Sequence, residues 1–507
     1  MKGKRRKIVL AMLCLAMAGC AQQSSRTTSL TVMEDMPLQA GDISAALSAA
    51  LRDPAPTLSR IQLPPQLSAH VDPEHRNTLP ELIDIAQRNN PATRAAWLRA
   101  REAKLSVNVV ESAYLPQLSA NVLAGYERVS RPEPAIPELG IGAGRLTATG
   151  YHVVPNLAIE WLLFDFGARD AAKEIAEQTY MASNIIFHGT HQRIIFEVSE
   201  AYFQLMAAKA MVQIEQERLD DAKTLSRVAR GRLQEGLAIR AEVAQAEQVE
   251  ARAKFDLTLA ESRVERARAT LIYTMGLPPL SSIQVADLAD RALPQEVPRP
   301  LDELIETSLA LRPDIQAALA RVRASRSGVE LIAAESRPKV AAVASVGQVH
   351  GQLDLSDSRF GGRASMNRPL DEILAGVIVT MPLFDGGRRQ AQLTQARMQA
   401  EAAEEDLLEV RNIAAQQIIE SYNLLHSSLA AYSASGPLVE AGRETYDTAL
   451  GLYENGLASL AEVSQTKLAL HDARLIQAQA FSDTFAAATG LAFATGRLTH
   501  GNAQLSL

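Results

Sequence analysis

His188 and His191 lie three residues apart in a helical stretch, a spacing at which two imidazoles could share a metal ion. No Cys and no second His pair completes such a site, so the pair is read as structural and no metal site is expected. Neither Gly-x-Ser-x-Gly nor Gly-x-x-x-x-Gly-Lys-Ser/Thr occurs, which leaves no nucleophile elbow and no phosphate-binding loop. The chain is therefore not read as an enzyme, and no cofactor is expected. Asp165 and Asp385 precede Gly167 and Gly387, with Arg169 and Arg389 close behind, and are read as shaping a strand-to-helix joint.

Cysteine chemistry is confined to the start of the chain. Lys2, Lys4, Arg5, Arg6 and Lys7 precede the apolar run Ile8 to Ala18, so residues 1–19 read as a secretory signal peptide. About 11 apolar residues cannot cross a hydrocarbon core, which needs roughly 20 as a helix. Leu15-Ala16-Met17-Ala18-Gly19-Cys20 resembles a bacterial lipobox, although Met17 departs from the usual Leu. The resemblance implies lipidation at Cys20; the alternative is an ordinary signal that ends near a Cys. Ala21 rather than Asp after that Cys points to the outer membrane by resemblance to lipoprotein sorting. Cys14 leaves with the signal, so no internal disulfide can form and the exported chain must rely on packing or oligomerisation.

Loss of the signal leaves 46 Lys+Arg against 58 Asp+Glu, a net charge of about −12, which argues against nucleic acid as a partner. No later window reaches 18 consecutive apolar residues, so a membrane span would have to be a barrel.

The elements that position these residues come in two copies. Glu81-Leu82-Ile83 recurs as Glu303-Leu304-Ile305, Pro91 as Pro313 and Pro116 as Pro338, all 222 residues apart. Further on, at an offset of 220, Leu163-Phe164-Asp165 returns as Leu383-Phe384-Asp385, and Gly276 returns as Gly496. Gly236-Leu237-Ala238 and Glu242 return at the same offset as Gly456-Leu457-Ala458 and Glu462. The first copy is placed at 78–277 and the second at 301–497, with a Pro-rich linker at 278–300 and a tail at 498–507. Residues 20–77 form an N-terminal extension with little core of its own.

Each copy reads as helix, two strands, then a very long helical pair. The first helix, about Leu79 to Tyr114, stops at Pro116, whose ring removes a donor. Leu118, Ala120, Val122, Ala124 and Tyr126 then share one parity, as do Tyr151, Val153, Leu157, Ile159 and Trp161. In the second copy Ile373, Ala375, Val377, Val379 and Met381 alternate, whereas Val340 to Ala344 do not. The hairpins are placed at 116–163 and 338–385, with strands of roughly ten residues and long loops at 129–149 and 353–371. Pro155 is awkward for a fully paired strand. From Ala168 to Leu233 the chain is Ala-rich and free of Pro, a helix that would exceed about 90 Å at roughly 1.5 Å per residue.

Together the duplication, the two Leu-Phe-Asp-x-Gly-x-Arg segments and the two Gly-Leu-Ala segments resemble the outer membrane efflux protein (TolC-like) family, from Thr78 to Arg497. The resemblance implies a mainly α fold with a membrane β-barrel: a homotrimer whose four strands per chain close a twelve-strand barrel above a coiled-coil periplasmic tunnel. Four strands alone cannot close a barrel in lipid, which is consistent with that count. By the same resemblance Gly236, Leu237, Gly456, Leu457 and Ala458 are hairpin tips that meet a periplasmic adaptor, itself joined to an inner-membrane transporter. Glu242 and Glu462 match the family's acidic constriction, with Gln465 standing where a second acidic residue is frequent. The other reading is that both glutamates favour a helix N-terminus, where negative charge opposes the macrodipole. The implied function is passive efflux of small molecules through the outer membrane. The alternatives are the channel of a type I protein secretion system and a non-transporting coiled-coil lipoprotein.

Overall fold

The computed structural model describes residues 75–286, 293, 300–366 and 370–498; the predicted signal peptide and Cys20 lie outside the described residues. The described elements begin with β1 (Arg76–Asn77), α1 (Leu79–Asn89), α2 (Pro91–Ser112), β2 (Gln117–Glu133) and β3 (Gly144–Phe164). The long helices α3 (Ala168–Gln234) and α4 (Arg240–Thr274) complete the first copy, and β4 (Gln284–Val285) follows. The second copy runs α5 (Leu301–Leu309), α6 (Pro313–Ala334), β5 (Lys339–Asp357), β6 (Gly362–Met366) and β7 (Leu370–Thr380). It ends with α7 (Arg388–Glu454) and α8 (Leu460–Ala494).

The single first helix expected from the sequence is two helices. Asn90 is extended at φ −67°, ψ 122°, because the ring of Pro91 disfavours helix in the residue before it, and the Asn90 side chain accepts from Ala92 N to cap α2. The second copy breaks at the same place, with Arg312 extended ahead of Pro313. Asn90 Nδ2 donates to the Thr274 carbonyl at the end of α4, and Arg312 Nη1 donates to the Ala494 carbonyl at the end of α8. Each helix break is thus tied to the last turn of its own copy.

The two 67-residue helices α3 and α7 run about 100 Å each at ~1.5 Å per residue. Toward its start α3 packs beside α2 and α6; further along it packs beside α4 and α8. The larger core gathers Leu82 and Ile83 of α1, Ile194, Val198, Phe203 and Leu205 of α3, Leu271 of α4 with Met275 at its C-cap, and Phe485 of α8. Val285 of β4 joins it, and β4 pairs in parallel with β1, so the first part of the linker is anchored in the fold. The second core repeats the first, with Leu304, Ile418, Leu425 and Leu491 standing at the offsets of Leu82, Val198, Leu205 and Leu271. Among the described residues no helix is long and apolar enough to cross a membrane.

The four long strands form one antiparallel sheet in the order β2-β3-β5-β7, with β6 pairing the far end of β5. The strands are longer than the roughly ten residues expected: β2, β3 and β5 have 17, 21 and 19. The loops are correspondingly shorter. The hairpin ladder continues to Glu133 opposite Gly144, through Ser, Thr and Gly positions that carry no apolar alternation to betray them. Val340 to Ala344, which lack alternation, are paired on both sides, by β3 and β7. Pro155 sits opposite Val122 in the hairpin, while the β3–β5 ladder skips Val154 and Pro155 and resumes at Asn156 in the same register. A residue without an N–H leaves that gap.

Candidate channel wall and helical tips

Directly opposed residues in a sheet share a face, so the register decides what each face is made of. Leu118 opposes Ile159, Ala120 opposes Leu157, and Val122 opposes Pro155. Leu157 in turn opposes Val346, which opposes Ile373; Trp161 opposes Ala342, which opposes Val377. One face is therefore apolar across all four strands. Its residues are uncovered: Leu118 is 70% exposed, Val377 62% and Ile373 78%. The opposite face carries Asn121, Asn156, His152, Glu127, Glu160 and Glu372, interspersed with Gly125, Gly347 and Gly376.

Aromatic residues bound the apolar band. Tyr126 and Tyr151 pack at 5.0 Å between ring centroids at one end, and Trp161 marks the other, its Nε1 donating to the Tyr114 carbonyl at 2.9 Å. Tyr151 to Trp161 covers about 33 Å of strand at ~3.3 Å per residue. Tilted by about 40°, that projects to roughly 25 Å, the height of an outer-membrane barrel's apolar belt. Strands β2 and β7 each pair on one side only among the described residues, which leaves two edges open.

The strand-to-helix joints carry the predicted Asp and Arg residues. Asp165 Oδ2 accepts from both Arg169 N (2.9 Å) and Arg169 Nε (3.0 Å), and Asp385 Oδ2 from Arg389 N (3.1 Å) and Nε (2.7 Å). The guanidinium of Arg169 also donates to the carbonyls of Leu162 and Ala113, and lies 4.7 Å from the ring centre of Tyr114. It therefore locks the end of β3, the start of α3 and the end of α2 into one geometry. Arg389 holds the Asp385 carboxyl below its ordinary value by direct hydrogen bonding. Burial, followed by a hydrogen bond to the Asp170 carboxylate, pushes the Tyr114 hydroxyl up to about 12.

At the far ends of the long helices the two tips share one geometry. Gly236 is left-handed at φ +74°, with its N–H bonded to the Leu233 carbonyl and the Leu237 N–H to the Arg232 carbonyl. Gly456 and Leu457 repeat both bonds on Tyr453 and Leu452. This pairing closes a helix C-terminus and needs a residue free of the left-handed penalty. Leu237 and Leu457 are 65% and 76% exposed, and Ala458 is half-buried. The glutamates differ from one another. Glu462 forms a capping box: Ser459 N donates to Glu462 Oε2 at 2.9 Å and Glu462 N donates to Ser459 Oγ at 3.3 Å. Glu242 occupies the same turn of α4, but its N-cap is Ile239, which has no side-chain oxygen to share. Gln465 is exposed one turn along from Glu462.

Sequence reasoning missed the bonds between the two helical hairpins. Lys467 Nζ lies 2.6 Å from Asp221 Oδ2, and Arg474 Nη1 donates to Glu217 Oε2 at 3.1 Å. His471 Nε2 is 3.1 Å from Glu215 Oε1, close enough for attraction when protonated, although the two are not aligned as a hydrogen bond. Partners about 250 positions apart leave no local spacing to read. The only available signal is the spacing of Lys467, His471 and Arg474 along one helix face. His188 and His191 pack against Phe187, with ring centroids at 5.5 and 4.6 Å.

An apolar sheet bounded by aromatic residues and continued by paired long helices is the architecture of an outer-membrane export channel subunit. The sequence profile of the outer membrane efflux protein family matches residues 82–277 and 304–497. The chain belongs to that family. It is 27% identical over 444 residues to the pyoverdine export outer membrane protein OpmQ of Pseudomonas putida, covering 84% of this chain and 87% of the relative. It is 22% identical to the cation efflux system protein CusC of Escherichia coli K12, covering 78% of this chain and 82% of the relative. Among solved structures, the outer-membrane channel OprN superposes with a TM-score of 0.68 at 22% identity, covering 82% of this chain and 89% of that one. The outer membrane protein VceC of Vibrio cholerae gives 0.67 at 20% identity, with 82% and 96% covered.

Proposed function

We propose that three copies of this chain pool their sheets into a twelve-strand barrel in the outer membrane, continued by a periplasmic helical tunnel. In this reading the channel passively conducts small molecules delivered by an inner-membrane transporter and a periplasmic adaptor. The observation that carries the reading is one sheet with an apolar band across one face of all four strands and two open edges. The apolar face is unfavourable in water, and the open edges are unfavourable in lipid until they are paired. Closure by three sheets satisfies both edges and turns the apolar faces outward, leaving Glu127, Glu160, Glu372 and the Asn residues to line the water-filled side. Lipidation at Cys20 would hold each chain at the membrane. The exposed Leu237 and Leu457 at Gly-Leu tips offer the adaptor its apolar contacts, and Glu242 and Glu462 narrow the tunnel entrance as a ring of carboxylates.

The test is native mass measurement together with single-channel recording of purified protein in planar bilayers. A trimer with cation-selective conductance that rises in Glu242→Ala/Glu462→Ala is expected. A conducting trimer indifferent to that substitution would remove the glutamate ring and keep the channel. A folded, inserted protein that is monomeric and silent would overturn the proposal.

A further inference from the structure

The face of the sheet that carries the apolar band continues past Tyr126 and Tyr151, at the end remote from the long helices. Along it Arg128 opposes Thr149, Ser130 opposes Thr147, and Pro132 opposes Arg145. Thr147 in turn opposes Ser356, which opposes Arg363 of β6. Three arginines on three strands therefore extend this face beyond its aromatic residues. All three are exposed, and none forms an ion pair among the described residues. The Arg145 guanidinium donates to the neutral Ser130 Oγ at 3.4 Å.

At the same end of the opposite face the arginines are neutralised. Glu133 and Asp357 stand on that face, with Arg131 2.8 Å from the first and Arg359 2.7 Å from the second. The basic face has one carboxylate at its rim, Asp354 opposite Thr149, so its three guanidiniums remain in excess. Asp371 shares the face further down, where it accepts from Gln348 at 2.5 Å, and Glu138 lies in the turn beyond β2.

Position and spacing narrow the ligand. Arg128 is two residues past Tyr126 and Arg145 six past Tyr151, roughly 7 and 20 Å along the strands. With a tilt of about 40° these become roughly 5 and 15 Å beyond the aromatic residues. A phospholipid headgroup layer adds only roughly 5–8 Å to each side of the hydrocarbon core, so Arg145 stands at a level that a larger sugar headgroup fills. Arg145 is also four positions along from the residue opposite Arg128, roughly 13 Å, too far for both to grip one compact anion. A guanidinium fork matches phosphate oxygens. We infer that this rim is a binding surface for a phosphorylated glycolipid, with Arg128, Arg145 and Arg363 pairing separate phosphates of the headgroups packed around the barrel. The inference rests on the channel reading, which turns this face outward.

The probe is lipid A, compared with the same glycolipid stripped of its phosphates, each mixed with full-length protein in detergent micelles. Native mass spectrometry counts the lipid retained per assembly, and planar-bilayer recording of the same preparation reports the channel. Wild type should retain lipid A. Each Arg→Gln substitution at 128, 145 or 363 should lower retention by up to about fivefold, and the triple variant by more. Arg131→Gln/Arg359→Gln on the opposite face should retain lipid A as wild type does. The single variants serve if the triple one misfolds. Equal retention by wild type and a folded triple variant, or equal retention of the phosphate-free glycolipid, would overturn the inference while the trimer and its conductance stand. Displacement of lipid A by millimolar inorganic phosphate would overturn it too, by showing a compact anion site. A wild type that is neither trimeric nor conducting would fail the channel reading, and the inference with it.

Discussion

The guanidinium of Arg312 donates through Nη1 to the carbonyl of Ala494 at 2.8 Å, which fastens the helix break of the second copy to the last turn of α8. Its Nη2 reaches Gln417 Oε1 of α7 and Asp314 Oδ2, and the side chain is only 8% exposed. Asn90 does the same work in the first copy with one bond, to Thr274. Arg312→Ala leaves a helix-terminal carbonyl and the Gln417 oxygen without this donor, and should cost about 2–4 kcal/mol. Arg312→Lys, with one point donor instead of a fork, should recover less than half of that loss. Chemical denaturation in detergent micelles checks both.

Two glycines of nearly equal φ separate conformational from steric cost. Gly236 at φ +74° has nothing within 4 Å of a built Cβ, whereas at Gly276, φ +70°, that atom would sit 2.7 Å from the Asn90 Cα. Gly236→Ala should cost about 1 kcal/mol, the left-handed penalty alone. Gly276→Ala must also displace backbone and should cost about 2–4 kcal/mol. The same denaturation assay ranks them, and equal costs would contradict the close approach of α4 to the α1–α2 break.

Burial, and then the neighbouring His188, hold the His191 imidazole below its ordinary 6.5. The unfolded chain therefore binds that proton at a higher pH than the folded one. The stabilising contribution is complete above about pH 6.5 and is lost as pH falls below it. Melting temperatures measured from pH 7.5 down to 5 should fall more steeply in the wild type than in His191→Gln. Parallel curves would show that this imidazole does not contribute.

Parity predicts opposite outcomes for adjacent residues of β7. Val377 belongs to the apolar face and Gly376 to the polar one. If the apolar face meets lipid, Val377→Arg should oppose insertion by about 2–4 kcal/mol near the bilayer centre. Gly376→Arg should insert normally and alter conductance instead. Folding yield into liposomes, followed by bilayer recording, distinguishes the two.

At the tips, Glu462→Ala removes a capping box and should destabilise the first turn of α8 by about 1 kcal/mol, whereas Glu242→Ala breaks no such box. Hydrogen exchange of the amides from Leu460 to Val463 should quicken in the first variant, with no matching change at the start of α4 in the second.

The duplication, the long helices and the Gly-closed tips were legible because each depends on local sequence. Ala168 to Gln234 follows from composition and the absence of Pro, and the left-handed Gly236 and Gly456 follow from the need to end a helix. The strands were legible only where one face is apolar, so Leu118 to Tyr126 stood out while Val129 to Glu133 did not, though both belong to one ladder. Pro91 was visible as a repeated residue, but only the structure shows that it divides the first helix.

By itself the sequence determined the two copies, the periodicity of each element and the residues that turn the chain. Those properties are set within a few residues by sterics, capping and hydrophobic period. The tertiary structure decided the strand order, which joins the two hairpins through β3 and β5 and makes four separate stripes one apolar face. It also decided that Lys467 meets Asp221 and that Arg474 meets Glu217. Such juxtapositions depend on how helices about 100 Å long settle against one another, a sum of many weak Ala-rich contacts that no local spacing encodes.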